Sequence, residues 1–285
     1  MSSYNIDESG DHSKQDNGGE DLRLGGHTPF KTIIKLVPGP LISQIVNQLY
    51  GVIDSMWVSK FIGELGLTAL AISYVIETTA ISFGSFILTA ASTQIAFLLS
   101  SKEYDKINQL SVDLFRICII LGIIVPAILL PVSKPLFAFL GADKQIQSMA
   151  FDYVIPLASM NIVTCVYQCI CGILQAEGRT WTFGISQIIS MIRNMALMDP
   201  LLLYLLKRTL GSSLATEFSM LLPAFVLGIL LYMKKFTTRP RFNLFAKKFI
   251  KETWEASKAG LSSFIMSISI VVPNFVMQKY MSIRA

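Results

Sequence analysis

The sequence predicts an all-α membrane protein, a bundle of six spanning helices followed by a basic segment and one further helix. Composition is the first reason: 52% of the residues are hydrophobic, 15% are charged and the mean hydropathy is +0.55, outside the balance of soluble domains. Charge placement is the second, because charged residues crowd into positions 1 to 35 and 234 to 258 and thin out between. The third is length. A helix crossing the hydrocarbon core needs about 20 mostly apolar residues, and the sequence contains seven such stretches.

Residues 1 to 29 are acidic, rich in Gly, Ser and Asn and lack an apolar block, so they are expected to form a disordered cytosolic tail without a cleavable signal peptide. The expected spans are 36 to 58, 66 to 98, 112 to 132, 148 to 173, 184 to 206, 214 to 233 and 259 to 281. Polar punctuation separates them: Lys60 to Gly66, Ser100 to Gln109, Ser133 to Gln147, Gln175 to Thr182, Lys207 to Ser213, and the basic stretch Lys234 to Lys258. Backbone groups cannot stay unpaired in lipid, and the two-residue alternation of a barrel strand is absent from these runs, so each is read as a helix. The domain reading is a tail over 1 to 29, a six-helix lobe over 30 to 233, a basic cytosolic linker over 234 to 258 and one more helix over 259 to 285.

Lys and Arg set the orientation. With the tail inside, fifteen of them fall in the tail and the loops after spans two, four and six, against five in the opposite loops: Lys60, Lys134, Lys144, Lys207 and Arg208. The positive-inside rule then places the amino terminus in the cytosol. The same count disfavours a seven-helix receptor or sensor, which keeps that terminus outside. The net charge of +5 needs no nucleic acid, since the basic residues border apolar spans instead of forming a stripe with interleaved aromatics. Cys118, Cys165, Cys169 and Cys171 lie in apolar runs with no CxxC pair, and His12 and His27 sit in the tail, so the thiols read as ordinary buried side chains and no metal site is expected.

Ionisable groups inside spans cost about 2.5–3.5 kcal/mol on insertion scales and by default mark a function. Four stand out: Asp54 and Asp199, late in spans one and five, with Glu77 in span two and Arg193 below Asp199. Spans one and five both run outward, which puts the two aspartates at similar depth in the outer half of the bundle. Two carboxylates in a poorly solvated cavity repel each other, and a bound H⁺ or Na⁺ relieves that repulsion, as an ion-coupled carrier requires. A structural ion pair with Arg193, or exposure of both acids at the interface, is the competing reading. Arg193 could also reach toward the cytosol, and Glu77 could be structural. Asn47, Gln48 and Asn194 could line a cavity, although such side chains also join helices by hydrogen bonds. Pro200 directly follows Asp199, so a bend there would couple the carboxylate to the shape of span five.

In these stretches the sequence resembles the multidrug and toxic compound extrusion (MATE) family. The matching blocks are PLISQIVNQLYGVIDSMWVSKFIGELGLTALA, GILQAEGRTWTFGISQIISMIRNMALMDPLLLY and KAGLSSFIMSISIVVPNF. The resemblance implies twelve helices in two six-helix lobes, of which this chain holds the amino-terminal lobe and the first helix of the second. It further implies H⁺- or Na⁺-coupled efflux of small, often cationic, organic substrates, with an amino-lobe cation site at the positions of Asp54 and Asp199. The chain departs from the family pattern where Asn194 stands five residues before Asp199 instead of four, and where LLSSKEY replaces a Gly-rich turn. A shift of 220 residues aligns Leu41, Ser43, Ile45 and Val52 with Leu261, Ser263, Ile265 and Val272, as a repeat of six helices predicts.

The functional expectation is therefore a membrane antiporter, part of a larger two-lobe unit, with membrane lipid, an organic substrate and a second lobe or second copy as partners. No cofactor beyond the coupling ion is implied. A lipid flippase of the same wider superfamily is the alternative, but it would favour a more cationic cavity than Asp54, Glu77 and Asp199 supply. No nucleophile and base pair or phosphate loop suggests an enzyme. Glycosylation acceptor tags test the topology: tags placed in the amino-terminal tail and in the 234 to 258 segment should both remain unmodified, whereas lumenal modification of the second would contradict the orientation.

Overall fold

The computed structural model describes residues 29–233, 236–240 and 248–284. The expected tail therefore lies outside the described residues except for Pro29, which starts a short helix. Ten α-helices are described: α1 (Pro29–Leu36), α2 (Pro38–Ile62), α3 (Glu64–Ser100), α4 (Tyr104–Phe139), α5 (Lys144–Ser159), α6 (Asn161–Ala176), α7 (Thr180–Arg193), α8 (Asp199–Leu206), α9 (Leu210–Tyr232) and α10 (Lys251–Arg284). A five-residue π-helical turn, Asn194–Met198, joins α7 to α8.

Five helical spans are long and apolar enough to cross a membrane, Glu64–Ser100, Tyr104–Phe139, Thr180–Leu206, Leu210–Tyr232 and Lys251–Met277, and the bent pair of α5 and α6 makes a sixth. The seventh expected span, α2, has ample length at 25 residues but carries Gln44, Asn47, Gln48 and Asp54, which dilute its apolarity. The single helix expected over 148 to 173 is broken, its halves meeting at Met160 with a 48° bend. Pro156 sits one turn before the break and cannot donate its missing N–H, the usual physical cause of such a kink. The expected linker of 234 to 258 ends earlier than its charge pattern suggests, because Lys251 to Lys258 form the first two turns of α10.

Turn chemistry fixes the reversals. α2 ends at Gly63, whose φ of 90° is a conformation side chains avoid and whose N–H closes on the Ser59 and Val58 carbonyls. Gly178 in the QAEGR turn plays the same part at φ 70°, with Arg179 N–H returning to the Leu174 carbonyl at 2.8 Å.

α3 is the central element. It packs on α4, α5 and α6 and also receives α10, while α2 lies along α7 and α9 covers α5 and α6. Two apolar cores result, one built from Ile87, Leu98, Leu110, Leu114, Ile173, Leu174 and Phe183, the other from Val58, Ile76, Val125, Phe137, Val154 and Leu157. The outer surface is apolar too: Ile120, Ile123, Ile124 and Ile128 of α4 are exposed along one face, as a lipid-facing helix requires. Without a hydrophobic driving force in lipid, close backbone approach has to hold the helices together. Gly172 of α6 lies against the Leu88 carbonyl of α3 and Gly260 of α10 against the Phe86 carbonyl, so a Cβ at either would sit 2.6 Å from backbone oxygen.

Buried acids and an asparagine tie the segment between α9 and α10 to the bundle. Glu177 of the QAEGR turn accepts from Thr238 N–H at 2.8 Å and pairs with Arg179, and Asn108 accepts from Arg239 N–H at 2.7 Å. Asp113, buried in α4, accepts from Ile250 N–H and from Thr253 Oγ1 at 2.8 Å while holding Arg116 at 3.1 Å. Asp113 thus satisfies donors at the start of α10 and sets where that helix begins. Gly172→Val, which forces a side chain onto the α3 backbone, is expected to destabilise the purified protein by about 1–3 kcal/mol, lowering its unfolding midpoint. Gly51→Ala, with nothing within 4 Å of its added Cβ, should not lower the midpoint and should raise it slightly, since Ala is the better helix former.

Candidate cation site

The site is built where α2, the π turn, α8 and α9 meet in the interior of the bundle. Asp54 on α2 is 4% exposed and Asp199, at the first turn of α8, is fully buried. The two carboxyl groups lie close enough to act on each other electrostatically. Two ionised carboxylates this close and this buried repel each other. Thr216 of α9 donates to Asp54 Oδ2 at 3.3 Å.

Asn194 completes the group through the π turn. On a regular α-helix, a residue five positions before Asp199 would be rotated about 100° away from the facing position. The structure absorbs the extra residue: Asp199 N–H bonds to the Asn194 carbonyl, five residues back, and the two side chains face each other. With its amide oriented to satisfy both neighbours, Asn194 Nδ2 donates to Asp199 Oδ2 at 2.9 Å and its oxygen accepts from Thr216 N–H at 3.3 Å. The π turn thus brings Asn194 to the face of Asp199 despite the five-residue spacing. π turns are rare and frequently lie at functional sites.

Pro200 explains where the turn is anchored. Lacking an N–H, it leaves the carbonyl of Met195, five residues earlier, without a helical donor, and the indole Nε1 of Trp57 takes that place at 3.1 Å. Trp57 lies one turn beyond Asp54 on α2, so one hydrogen bond locks the aspartate-bearing helix to the irregular turn. Tyr50, one turn on the other side, donates to Ser190 Oγ at 2.8 Å, and Ser190 donates to the Ser219 carbonyl of α9 at 3.0 Å.

The other expected residues divide. Glu77 on α3 sits against Tyr153 of α5, with Asp54 near enough to act on it electrostatically, so it flanks the pair. Arg193 does not pair with an aspartate: its guanidinium donates to the Phe218 carbonyl of α9, which removes the ion-pair reading for Asp54 and Asp199. Asn47 and Gln48 lie on an exposed face of α2. A cavity of about 340 Å³ lined by Gln145, Ser148, Met149, Asp152, Lys207, Arg208 and Thr209 lies at the loop ends of α5 and α8 and contains none of the expected residues. Sequence reasoning missed Thr216 and Tyr153, for which only the fold supplies a reason. It also passed over Asp113 and Glu217, ionisable residues within apolar spans and so carrying the same signal as Asp54. Among the described residues no group of His, Cys, Asp or Glu has the arrangement of a metal site, and the four cysteines are buried.

Residues 40–198, which include both Asp54 and Asn194, match the family model described as MatE. The chain belongs to the MatE family. Among curated MatE relatives are the multidrug export protein MepA of Staphylococcus aureus (strain NCTC 8325 / PS 47), 22% identical over 258 residues, and MepA of Staphylococcus haemolyticus (strain JCSC1435), 20% identical. Each alignment covers 89% of this chain and 56% of the relative, so the chain spans about half the length of the relatives it matches. Among solved structures, a MOP superfamily transporter from Pyrococcus furiosus and a MATE protein in complex with MaD3S each superpose with a TM-score of 0.80 at 22% identity, over 89% of this chain and 56% of theirs. At that identity the superpositions establish the MatE fold.

The π turn can be tested by length. Deleting Ala196 returns Asn194 to four residues before Asp199 on a continuous α-helix, so the purified protein should keep its fold and its unfolding midpoint. Deleting Ile189 from the regular part of α7 rotates Asp199 off the site and should lower the midpoint sharply; equal damage from both deletions would contradict this account.

Proposed function

We propose that the chain forms the amino-terminal lobe of a secondary active transporter that exports small organic, often cationic, compounds in exchange for H⁺ or Na⁺. The observation that carries this reading is the closeness of Asp54 and Asp199, buried together with no basic residue paired to either among the described residues. An acid pair of this kind holds one exchangeable cation. Its occupied and empty states differ by a full charge in a low-dielectric setting, where neighbouring helices must answer the difference.

The surrounding geometry offers a means of response. Asp199 starts α8 directly after the π turn, Trp57 pins that turn to α2, and Thr216 links the pair to α9, so occupancy of one site bears on three helices. Glu77 and Tyr153 extend the polar cluster toward α3 and α5. The exposed polar face of α2 with Asn47 and Gln48 would contribute to a substrate cavity whose other wall comes from a second lobe or a second copy of the chain. In this reading α10 is the first helix of that second lobe, the amino terminus and the segment between α9 and α10 face the cytosol, and both lie on an integral multi-pass protein. The relatives named as multidrug export proteins agree with drugs as the substrate class. The acidic character of the buried cluster favours cationic compounds and argues against a flippase that would bind anionic headgroups.

Efflux assays test the proposal in two steps. Cells expressing residues 1–285 alone should extrude no cationic dye, while coexpression with the carboxy-terminal lobe of a related transporter should restore dye- and ion-dependent efflux. In the restored pair, Asp54→Asn or Asp199→Asn should weaken the coupling ion about tenfold or more, since a hydrogen bond to a charged group is worth about 1.5–3 kcal/mol. Unchanged ion dependence in both variants would remove the pair from the mechanism.

A further inference from the structure

A second buried carboxyl group lies outside the aspartate site. Glu217, in the middle of α9, is 3% exposed, and nothing in the aspartate cluster accounts for it. It follows Thr216, but consecutive residues on a helix diverge by about 100°, so Thr216 reaches Asp54 while Glu217 turns to α6. There it meets Thr164, whose Oγ1 lies 3.2 Å from each carboxyl oxygen and 3.8 Å from Met220 Sδ.

Among the described residues no lysine, arginine or histidine pairs with Glu217. From α6 the titratable group acting on it is the Cys165 thiol, which itself donates to Asn161 Oδ1 at 3.3 Å. From α5, Tyr153 is engaged with Glu77. Asp54 and Asp199 lie toward the other side of α9, beyond Thr216. One neutral hydroxyl cannot compensate an ionised carboxylate removed from water, whereas a neutral carboxylic acid is satisfied by it: the acid O–H donates to Thr164 Oγ1 and the threonine proton turns to Met220 Sδ.

We propose that Glu217 and Thr164 form a second proton-binding site of the lobe, with Glu217 held as a carboxylic acid and separate from the Asp54 and Asp199 pair. The site is placed to exchange that proton. Thr164 stands in the first turn of α6, immediately after the 48° break at Met160. A change in the angle between α5 and α6 would carry Thr164 past Glu217 and replace its one partner. Opening to water, the acid releases H⁺ and becomes a carboxylate; on reclosure it takes a proton from water again. The inference stands without the cation-coupling role of the aspartates.

Infrared spectroscopy of the full chain, reconstituted in lipid at neutral pH, with isotopically labelled glutamate tests it. The protonated carboxyl stretch should contain a component that moves with the glutamate label, persists in Glu77→Gln and disappears in Glu217→Gln. In Glu217→Asp, which keeps the carboxyl group should the amide variant fail to fold, that component should transfer to the aspartate label. Absence of any glutamate-derived protonated band from the Glu77→Gln protein would overturn the proposal, as would a band unaffected by replacing Glu217. Labelled aspartate reports on Asp54 and Asp199 independently, so failure of the aspartate reading shows as a separate result.

Discussion

The structure turns on two carboxyl groups buried close together inside the bundle. Asp54 and Asp199, both ionised, would repel each other in an apolar bundle, and the H⁺ or Na⁺ proposed for the pair would relieve that repulsion. Much of the local architecture serves that pair. The π turn returns Asn194 to the face of Asp199, Thr216 ties Asp54 to α9, and Trp57 occupies the carbonyl that Pro200 leaves without a donor. Three irregularities, an extra residue, a proline and an orphan carbonyl, compensate one another around one acid pair.

Buried charge in the lobe is predominantly acidic, and it falls into two kinds. Asp113 and Glu177, near the helix ends, are held by Arg116 and Arg179 and by backbone N–H groups of the segment that follows α9. These are satisfied acids, and they position the start of α10. Among the described residues Asp54, Asp199 and Glu217 have no cationic partner, and their donors are neutral hydroxyl and amide groups. A charge without a countercharge in the bilayer interior persists only if the group can become neutral, which sets these acids apart from those that build the fold.

The helical class, most of the spans and the family were legible because hydrophobic length and charge segregation are strong, local signals. Asp54 and Asp199 could be singled out for the same reason: each is an acid in an apolar run, and both sit late in their spans. Other features depended on facts that no linear pattern holds. Asn194 looked misplaced because spacing along a sequence assumes a regular helix, and the π turn breaks that assumption. Arg193 looked like a partner for Asp199 two turns above, yet its guanidinium reaches the Phe218 carbonyl on a neighbouring helix. The break at Met160 was not read from the span around it, although Pro156 was visible there. Glu217 was legible and was missed: it carried the same signal as Asp54 without a motif to draw attention to it.

The central claim is that Asp54 and Asp199 hold one exchangeable cation between them, and magnetic resonance of the two isotopically labelled carboxyl carbons tests it most directly. In the purified chain the two resonances should titrate as one coupled pair, both responding in each of two steps, and Na⁺ or a proton should perturb them together. Replacing either aspartate by asparagine should leave the survivor with a single simple titration. Two independent titrations in the unmodified protein, unaffected by removing the partner, would contradict the account.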